Sequence, residues 1–423
     1  MPSKSIPSIC ASLLLAAHML AGCSAPVTAV IPASAPAPAP TSGHTLAQAP
    51  APAPASALPD APGSLSDWYA ALDLDAQDTP QTLYAAAQNE DMLVVYSTST
   101  RMMDVAKSFE RNYPGLLAYV EHIREGELFD KLNLNYESGD FACDVICSAD
   151  GKGILENEFL PKRIAVKYTP YDIKSKILPG NDDAKLMLAG EATVFSYNAQ
   201  YYQSPPVGNW WELTEEKWRG MIYIPNPSRS VTTSAFFNML ISNSDEMALA
   251  HEALYGRSLE TGAGDSAGRE YIRRLMANDA IIVNSSDEIA EIIGAPGSRS
   301  PSIGIVISSK TRLRDIGYEM ANHYGMEPFC GVYLPNCIML AGGARNINAA
   351  KLFIRWVLGE ADGQGEGYRP YLLSGAWSVR SDVRDETGVR IDELNLLHPD
   401  SAYLYANQDA FLTFWEELLL SRD

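Results

Sequence analysis

The sequence predicts an α/β protein built on two doubly wound, mixed sheets. Short β-prone runs alternate with amphipathic helical segments along most of the chain, and this alternation is typical of sheets whose strands are joined by helices. The folded body begins near residue 64 and has roughly 360 residues, which is enough for two domains with separate cores. Polar residues follow many of the predicted strands, where ligands of such sheets bind.

The first 23 residues predict export and a lipid anchor. Lys4 precedes an apolar run at residues 9–20 that is too short to span a bilayer, so residues 1–22 are predicted to be a signal peptide. The run ends in Leu20-Ala21-Gly22-Cys23, which resembles the lipobox of bacterial lipoproteins. That resemblance implies cleavage before Cys23 and lipidation of its thiol and amino group. An ordinary secretory signal with a chance cysteine is the alternative.

Residues 23–63 predict a spacer, because they consist mainly of Ala, Pro, Ser, Thr and Gly and hold few large apolar side chains. Such a segment stays extended, and it is polyproline-like where the prolines fall. A spacer between a lipid anchor and a folded body would hold that body away from a membrane.

The body repeats a strand followed by a helix. The run at residues 92–96 is β-prone, and apolar side chains then recur at helical spacing from Met102 until Pro114-Gly115. By the same criteria, further strands are predicted at residues 116–120, 144–147, 192–197, 221–224, 281–283 and 303–307. Further helices are predicted at residues 234–241, 269–277, 287–293 and 349–358.

Hydroxyl side chains follow five of these strands. Ser or Thr before a helix is most often an N-cap, so each cluster alone has a structural explanation. Helix starts that carry hydroxyls and free amides also bind anions, and five such clusters are more than capping predicts. The candidate ligand-binding residues are therefore Ser97, Thr98, Ser99, Arg101, Ser148, Ser230, Thr232, Thr233, Ser285 and Ser308.

The charge of the chain excludes some partners. A net charge of −20 argues against nucleic acid or an anionic lipid surface as a partner of the whole protein. No stretch after the signal is long and apolar enough to cross a bilayer. We therefore expect contact with the membrane only through the lipid anchor.

Four cysteines remain in the body: Cys143, Cys147, Cys330 and Cys337. Export permits disulfides, and a turn at residues 331–336 could bring Cys330 and Cys337 together. Zinc binding is a second interpretation, although neither pair has the usual two-residue spacing. Buried free thiols are the third.

Several segments resemble the ferric-iron-type periplasmic binding proteins, which are substrate-binding proteins of ABC importers. The resemblance spans about residues 79–383 and is carried by segments 93–97, 112–115, 144–150, 192–198 and 209–220. It implies the two-lobed type 2 periplasmic binding protein fold, in which the chain crosses twice between the lobes and hinge closure traps the ligand. By analogy, lobe 1 comprises residues 64–195 plus 312–365, and lobe 2 comprises residues 196–311 plus 366–423.

The resemblance also implies a function. It indicates a monomeric substrate-binding lipoprotein in the cell envelope that delivers a solute to the permease and ATPase subunits of an ABC importer. On this interpretation the protein is not an enzyme and has no cofactor.

Iron-binding members of this family hold the metal with an adjacent tyrosine pair after the strand that matches residues 303–307. Here residues 308–311 read Ser-Ser-Lys-Thr, and Tyr318 and Tyr324 stand apart. Ferric iron prefers hard anionic oxygen ligands, so we expect no metal site. The guanidinium groups of Arg101 and Arg229 suit an oxyanion. We expect a small anionic solute, phosphorylated or phosphonate-type, with ferric iron as the alternative.

A serine hydrolase is the alternative from a different class. The run Gly264-Asp265-Ser266-Ala267-Gly268 fits the G-x-S-x-G nucleophile elbow, which requires a buried strand directly before it. Residues 257–262 are polar, so Ser266 is predicted to cap the following helix instead.

Overall fold

The computed structural model describes residues 65–262, 265–385 and 387–422. The predicted signal peptide, Cys23 and the predicted spacer lie outside the described residues. Fourteen strands are found in the described part: β1 (Leu93–Ser97), β2 (Ala118–His122), β3 (Val145–Ser148), β4 (Ala165–Val166), β5 (Leu186–Gly190), β6 (Ala192–Asn198), β7 (Ile222–Pro225), β8 (Ile281–Val283), β9 (Ile303–Ile307), β10 (Met320–His323), β11 (Gly331–Tyr333), β12 (Asn336–Ala341), β13 (Trp377–Ser378) and β14 (Leu396–Leu397).

Twelve α-helices accompany these strands in the same ranges. They are α1 (Leu65–Ala71), α2 (Pro80–Ala87), α3 (Met102–Asn112), α4 (Glu125–Ser138), α5 (Leu160–Lys162), α6 (Tyr171–Lys174), α7 (Val231–Ser242), α8 (Ser244–Tyr255), α9 (Ala267–Ala277), α10 (Ser286–Gly294), α11 (Ile347–Val357) and α12 (Ser401–Leu420). None of the helices in the described ranges has the length and apolar character that spanning a bilayer requires.

The strands form two mixed sheets, as the alternating pattern predicts. The first has the order β13-β5-β12-β3-β1-β2, with β4 beside β12, and the second has the order β14-β11-β6-β9-β7-β8, with β10 beside β6. Strands β1, β2 and β3 run parallel, whereas β12 is antiparallel to β3. In the second sheet β7 is parallel to β8 and β9, and β6 is antiparallel to β9. Each sheet with its helices is one lobe.

Each lobe has its own apolar core. In the first lobe Phe109 of α3 packs edge-on against Phe353 of α11, with ring centroids 5.2 Å apart. In the second lobe Phe237 of α7 stacks on Trp415 of α12 at 5.8 Å. Burying such large aromatic side chains is a main source of folding free energy. These cores hold rigid the strand ends and helix starts that face the other lobe.

The strand pairing places the lobe boundaries at different residues from those that the sequence predicts. Strand β6 pairs with β9, β10 and β11, so residues 192–195 and the strands β10 and β11 belong to the second sheet and not to the first. Conversely, β13 pairs with β5 in the first sheet. The chain therefore crosses between the sheets three times, between β5 and β6, between β11 and β12, and between β13 and β14, whereas the fold that the resemblance implies has two crossings.

The disulfide hypothesis for Cys330 and Cys337 is wrong. Strand β11, directly after Cys330, lies in the second sheet, and β12, which contains Cys337, lies in the first. All four body cysteines are buried free thiols.

Candidate functional site

A cavity of about 670 Å³ lies between the two lobes. Its volume falls within the range of small-molecule binding sites, roughly 300–1,000 Å³. The starts of α3 and α4 line it from the first lobe, and the starts of α7 and α10 line it from the second. The backbone N–H groups at a helix start carry partial positive charge and favour anions.

Thr98, Ser99 and Arg101 line the cavity directly before α3. The Nη2 of Arg101 donates to the Glu191 carboxylate at 2.5 Å and to Ser309 Oγ at 3.2 Å. Its Nη1 is buried and has no hydrogen-bond partner. Burial opposes the positive charge, but attraction and hydrogen bonding from Glu191 outweigh it, so the pKa of Arg101 is raised. The charged guanidinium therefore keeps one nitrogen, Nη1, without an acceptor.

Glu191 joins three parts of the molecule. It is the residue between β5 and β6, and its carboxylate accepts hydrogen bonds from Arg101 and, at 3.2 Å, from the amide of Asn336. Asn336 begins β12, just after the second crossing, so one carboxylate ties two crossing segments to the start of α3.

The second lobe contributes the start of α7. Ser230 is its N-cap, and Ser230 Oγ accepts from the backbone N–H of Thr233 at 3.3 Å. Thr232 Oγ1 lies 3.2 Å from Ser230 Oγ, and Ser230 and Thr232 both line the cavity. Arg229 is exposed beside them, with a long 3.4 Å hydrogen bond to Asn284. This group presents hydroxyls, free amides and a positive charge together.

Lys310 and Arg312 extend the positive lining of the second lobe. Lys310 forms an ion pair with Asp287 in the first turn of α10. Arg312 donates to the backbone carbonyl of Ser309 at 2.9 Å. Burial lowers the pKa of both cations, and for Arg312 repulsion from Arg101 adds to this effect. An anion bound between Arg312 and Arg101 would offset the repulsion between these two cations.

Five of the ten predicted residues thus line the cavity, namely Thr98, Ser99, Arg101, Ser230 and Thr232. The other five are not in the lining, and four of them are buried. Their hydroxyls are used within the protein: Ser97 bonds the backbone of Ser99, Ser148 donates to the carbonyl of Ala149, Thr233 bonds Ser230, Ser285 caps α10, and Ser308 donates to the carbonyl of Gly375. For these five the structure shows the intramolecular role that capping and turn chemistry predict.

Charged lining residues outside the predicted set outnumber the four predicted hydroxyl residues that line the cavity. They include Arg124, Glu125, Glu191, Lys310 and Arg312. Glu191 left a signal in the sequence, since it is a lone carboxylate within the apolar run at residues 186–195. The cations lay in short polar stretches without periodicity, where nothing local separates a cleft residue from a surface residue.

The residues that iron binding or serine hydrolysis would require are not assembled in the cavity lining of the described structure. No tyrosine occurs among the described residues that line the cavity, and residues 65–262, 265–385 and 387–422 hold no cluster of three or more His, Cys, Asp or Glu side chains suited to a metal. Ser266 caps α9, accepting from the backbone N–H of Arg269, as its sequence context predicts. Residues 257–262 before it form no strand.

Comparison with solved structures shows that the fold is that of the two-lobed periplasmic binding proteins, as the sequence resemblance predicts. Iron-bound HitA from Pseudomonas aeruginosa matches with a TM-score of 0.58 and 14% identity, over 78% of this chain and 99% of that chain. AfuA from Actinobacillus pleuropneumoniae, with exogenous fructose-6-phosphate bound, matches with 0.57 and 18%, over 77% and 98%. A substrate-binding protein of an ABC transporter from Agrobacterium tumefaciens matches with 0.59 and 15%, over 80% and 96%. No protein-family model and no curated protein matches the chain.

Proposed function

We propose that this protein is the substrate-binding component of an ABC importer and that it captures a small anionic solute, phosphorylated or phosphonate-type, between its lobes. The observation that carries the proposal is the buried, unpartnered Nη1 of Arg101 beside a cavity lined by helix starts from both lobes. A buried donor without an acceptor is destabilising. An oxyanion at that position would accept from Arg101 and from helix-start amides at the same time.

The charge balance of the cavity supports an anion. Arg101 and Lys310 are each paired with a carboxylate. Arg124, Arg229 and Arg312 also line the cavity, and none of the three forms an ion pair with a carboxylate among the described residues. A cation-binding cleft would instead require an excess of unpaired carboxylates.

The role as an importer component rests on the two-lobed fold. Contacts such as the hydrogen bond from Ser308 of the second lobe to the carbonyl of Gly375 of the first bring the lobes together at the base of the cleft. A ligand held by groups from both lobes favours the closed arrangement, because only that arrangement offers all its contacts. The permease and ATPase partners, export, and lipidation at Cys23 are part of this proposal and follow from the sequence.

A thermal-shift panel tests the proposed function. Hexose phosphates, phosphonates, thiamine phosphates and ferric citrate are each added to the purified protein, and a ligand raises the melting temperature as its concentration exceeds Kd. We expect stabilisation by a phosphate or phosphonate compound, and loss of it in Arg229→Ala. Glu216 forms an exposed pair with Arg219 away from the cavity, so Arg219→Ala is the matched control. Stabilisation by ferric citrate alone would instead establish the iron alternative.

A further inference from the structure

Glu125 is a buried carboxyl group that the fold leaves partly unsatisfied. It is the first residue of α4, it lines the interlobe cavity, and it is only 4% exposed. Its Oε1 has no hydrogen-bond partner. Because buried polar atoms in proteins are nearly always paired, an orphaned carboxyl oxygen beside a cavity indicates a partner that enters from the cavity.

The surroundings of Glu125 favour its uncharged form. Burial raises the pKa of this carboxyl well above its ordinary value, and repulsion from Asp150 adds to the rise. Lys152 and the backbone amides of Gly151 and Lys152 act in the opposite direction but do not offset burial. Asp150 itself is held by Lys185 at 2.9 Å. An uncharged carboxyl both donates and accepts a hydrogen bond, as a sugar hydroxyl does.

Two residues that line the cavity from the first lobe therefore each hold one buried polar atom without a hydrogen-bond partner. The Nη1 of Arg101 is a cationic donor that requires an acceptor, and the Glu125 carboxyl suits a group that donates as well as accepts. Inorganic phosphate or an alkyl phosphate would satisfy the first. A ligand that carries hydroxyls besides its phosphate would satisfy both.

We propose that Glu125 is a ligand-binding residue that hydrogen-bonds a hydroxyl group of a phosphate ester, so that the cleft takes a sugar or polyol phosphate in preference to inorganic phosphate or an alkyl phosphate. This inference rests on the proposed function and narrows its substrate class. It assigns recognition of the phosphate to Arg101 and the helix starts, and recognition of the hydroxylated body to Glu125.

Isothermal titration of the full chain with a hexose 6-phosphate, butyl phosphate and inorganic phosphate tests the assignment. Wild type should bind the hexose phosphate at least tenfold more tightly than butyl phosphate. Glu125→Ala should lose about tenfold or more for the hexose phosphate, equivalent to roughly 1.4 kcal/mol, and keep its affinity for inorganic phosphate. Glu125→Gln, which retains a donor and an acceptor, should stay near wild type. Glu127→Gln, exposed in the same helical turn, is the matched control.

Equal affinity of wild type for hexose phosphate and butyl phosphate would overturn the inference. This comparison uses only the wild-type protein, so it does not depend on whether a variant folds. Unchanged hexose phosphate affinity in Glu125→Ala would also overturn it. In both cases phosphate binding itself persists, so the proposed function survives. If wild type binds none of the three compounds, the assignment of Glu125 fails, and the thermal-shift panel of phosphonates and thiamine phosphates decides whether the proposed function fails with it.

Discussion

Replacing Arg101 by methionine should destabilise the protein through the carboxylate that it leaves behind. Glu191 has a side chain that is 8% exposed, and Arg101 is its ion-pair partner at 2.5 Å. Removing one partner of a buried pair costs about 3–5 kcal/mol, because the remaining charge is uncompensated. Glu191 retains the Asn336 amide at 3.2 Å, so we expect a loss near the lower end, about 3 kcal/mol.

The assay is urea denaturation of Arg101→Met, of Glu191→Gln and of the double variant. In the double variant no buried charge is left unpaired, so its loss should be well below the sum of the two single losses. Arg111→Met is the matched control on the same helix. Arg111 pairs with Glu366, with 60% and 48% of the two side chains exposed, and such exposed pairs contribute about 0–1 kcal/mol.

Additive losses in the double variant, or a loss for Arg101→Met no larger than that for Arg111→Met, would refute this reasoning. Either result would mean that Glu191 is not held as a buried, charged partner of Arg101. The coupling between the cleft and the two crossing segments would then have no basis.

Three further predictions follow from the site. Glu191→Gln should bind an anionic ligand more tightly in calorimetry, because Arg101 is no longer shared with a carboxylate; weaker binding would contradict this. Gly375→Ala should lower the melting temperature, since Gly375 has a φ of +80° and an added Cβ would lie 2.1 Å from the Ser308 carbonyl oxygen; an unchanged melting temperature would show that this contact gives way. Because burial raises the pKa of Glu125 above 4.5, its stabilising contribution is complete below about pH 4.5 and is lost as the pH rises through the folded-state pKa. Glu125→Gln should show no such loss. Urea denaturation above about pH 4.5 should therefore give the variant a growing advantage over wild type in free energy of unfolding as the pH rises. Parallel pH profiles of the two proteins would contradict a raised pKa of Glu125.

The elements with strong local signals could be predicted from the sequence. The strand at residues 303–307 is predicted and found at the same residues, and the helix predicted at residues 287–293 is α10. Ser266 was identified as a cap from the polar residues before it, and α9 begins directly after it. Apolar periodicity and capping act within a few residues, so a single sequence contains them.

Sheet membership could not be predicted in the same way. Strands β10 and β11 are short, and the partner that places them in the second sheet is β6, which precedes them by more than a hundred residues. Nothing in the local sequence shows which of the two sheets a short strand joins, so the predicted lobe boundaries differ from the strand pairing in the structure. Strands β13 and β14, each of two residues, carry too little pattern to be recognised.

The sequence predicts a site at strand ends that precede helices, and the structure has a cavity there that the starts of α3 and α7 line. Five of the ten predicted residues lie in its lining. The sequence overcounted hydroxyls, because a buried serine such as Ser97, which bonds the backbone of Ser99, has the same sequence context as one that faces a ligand. It did not single out Glu125 and Lys310, which line the cavity and are buried, because burial depends on the three-dimensional fold.

The most direct test of the account is a crystal structure of the protein with a hexose 6-phosphate bound. We predict that the phosphate lies between the lobes, within hydrogen-bonding distance of Arg101 Nη1, and that a sugar hydroxyl contacts Glu125. A phosphate bound outside the cavity, or a cavity occupied by ferric iron on protein ligands, would contradict it.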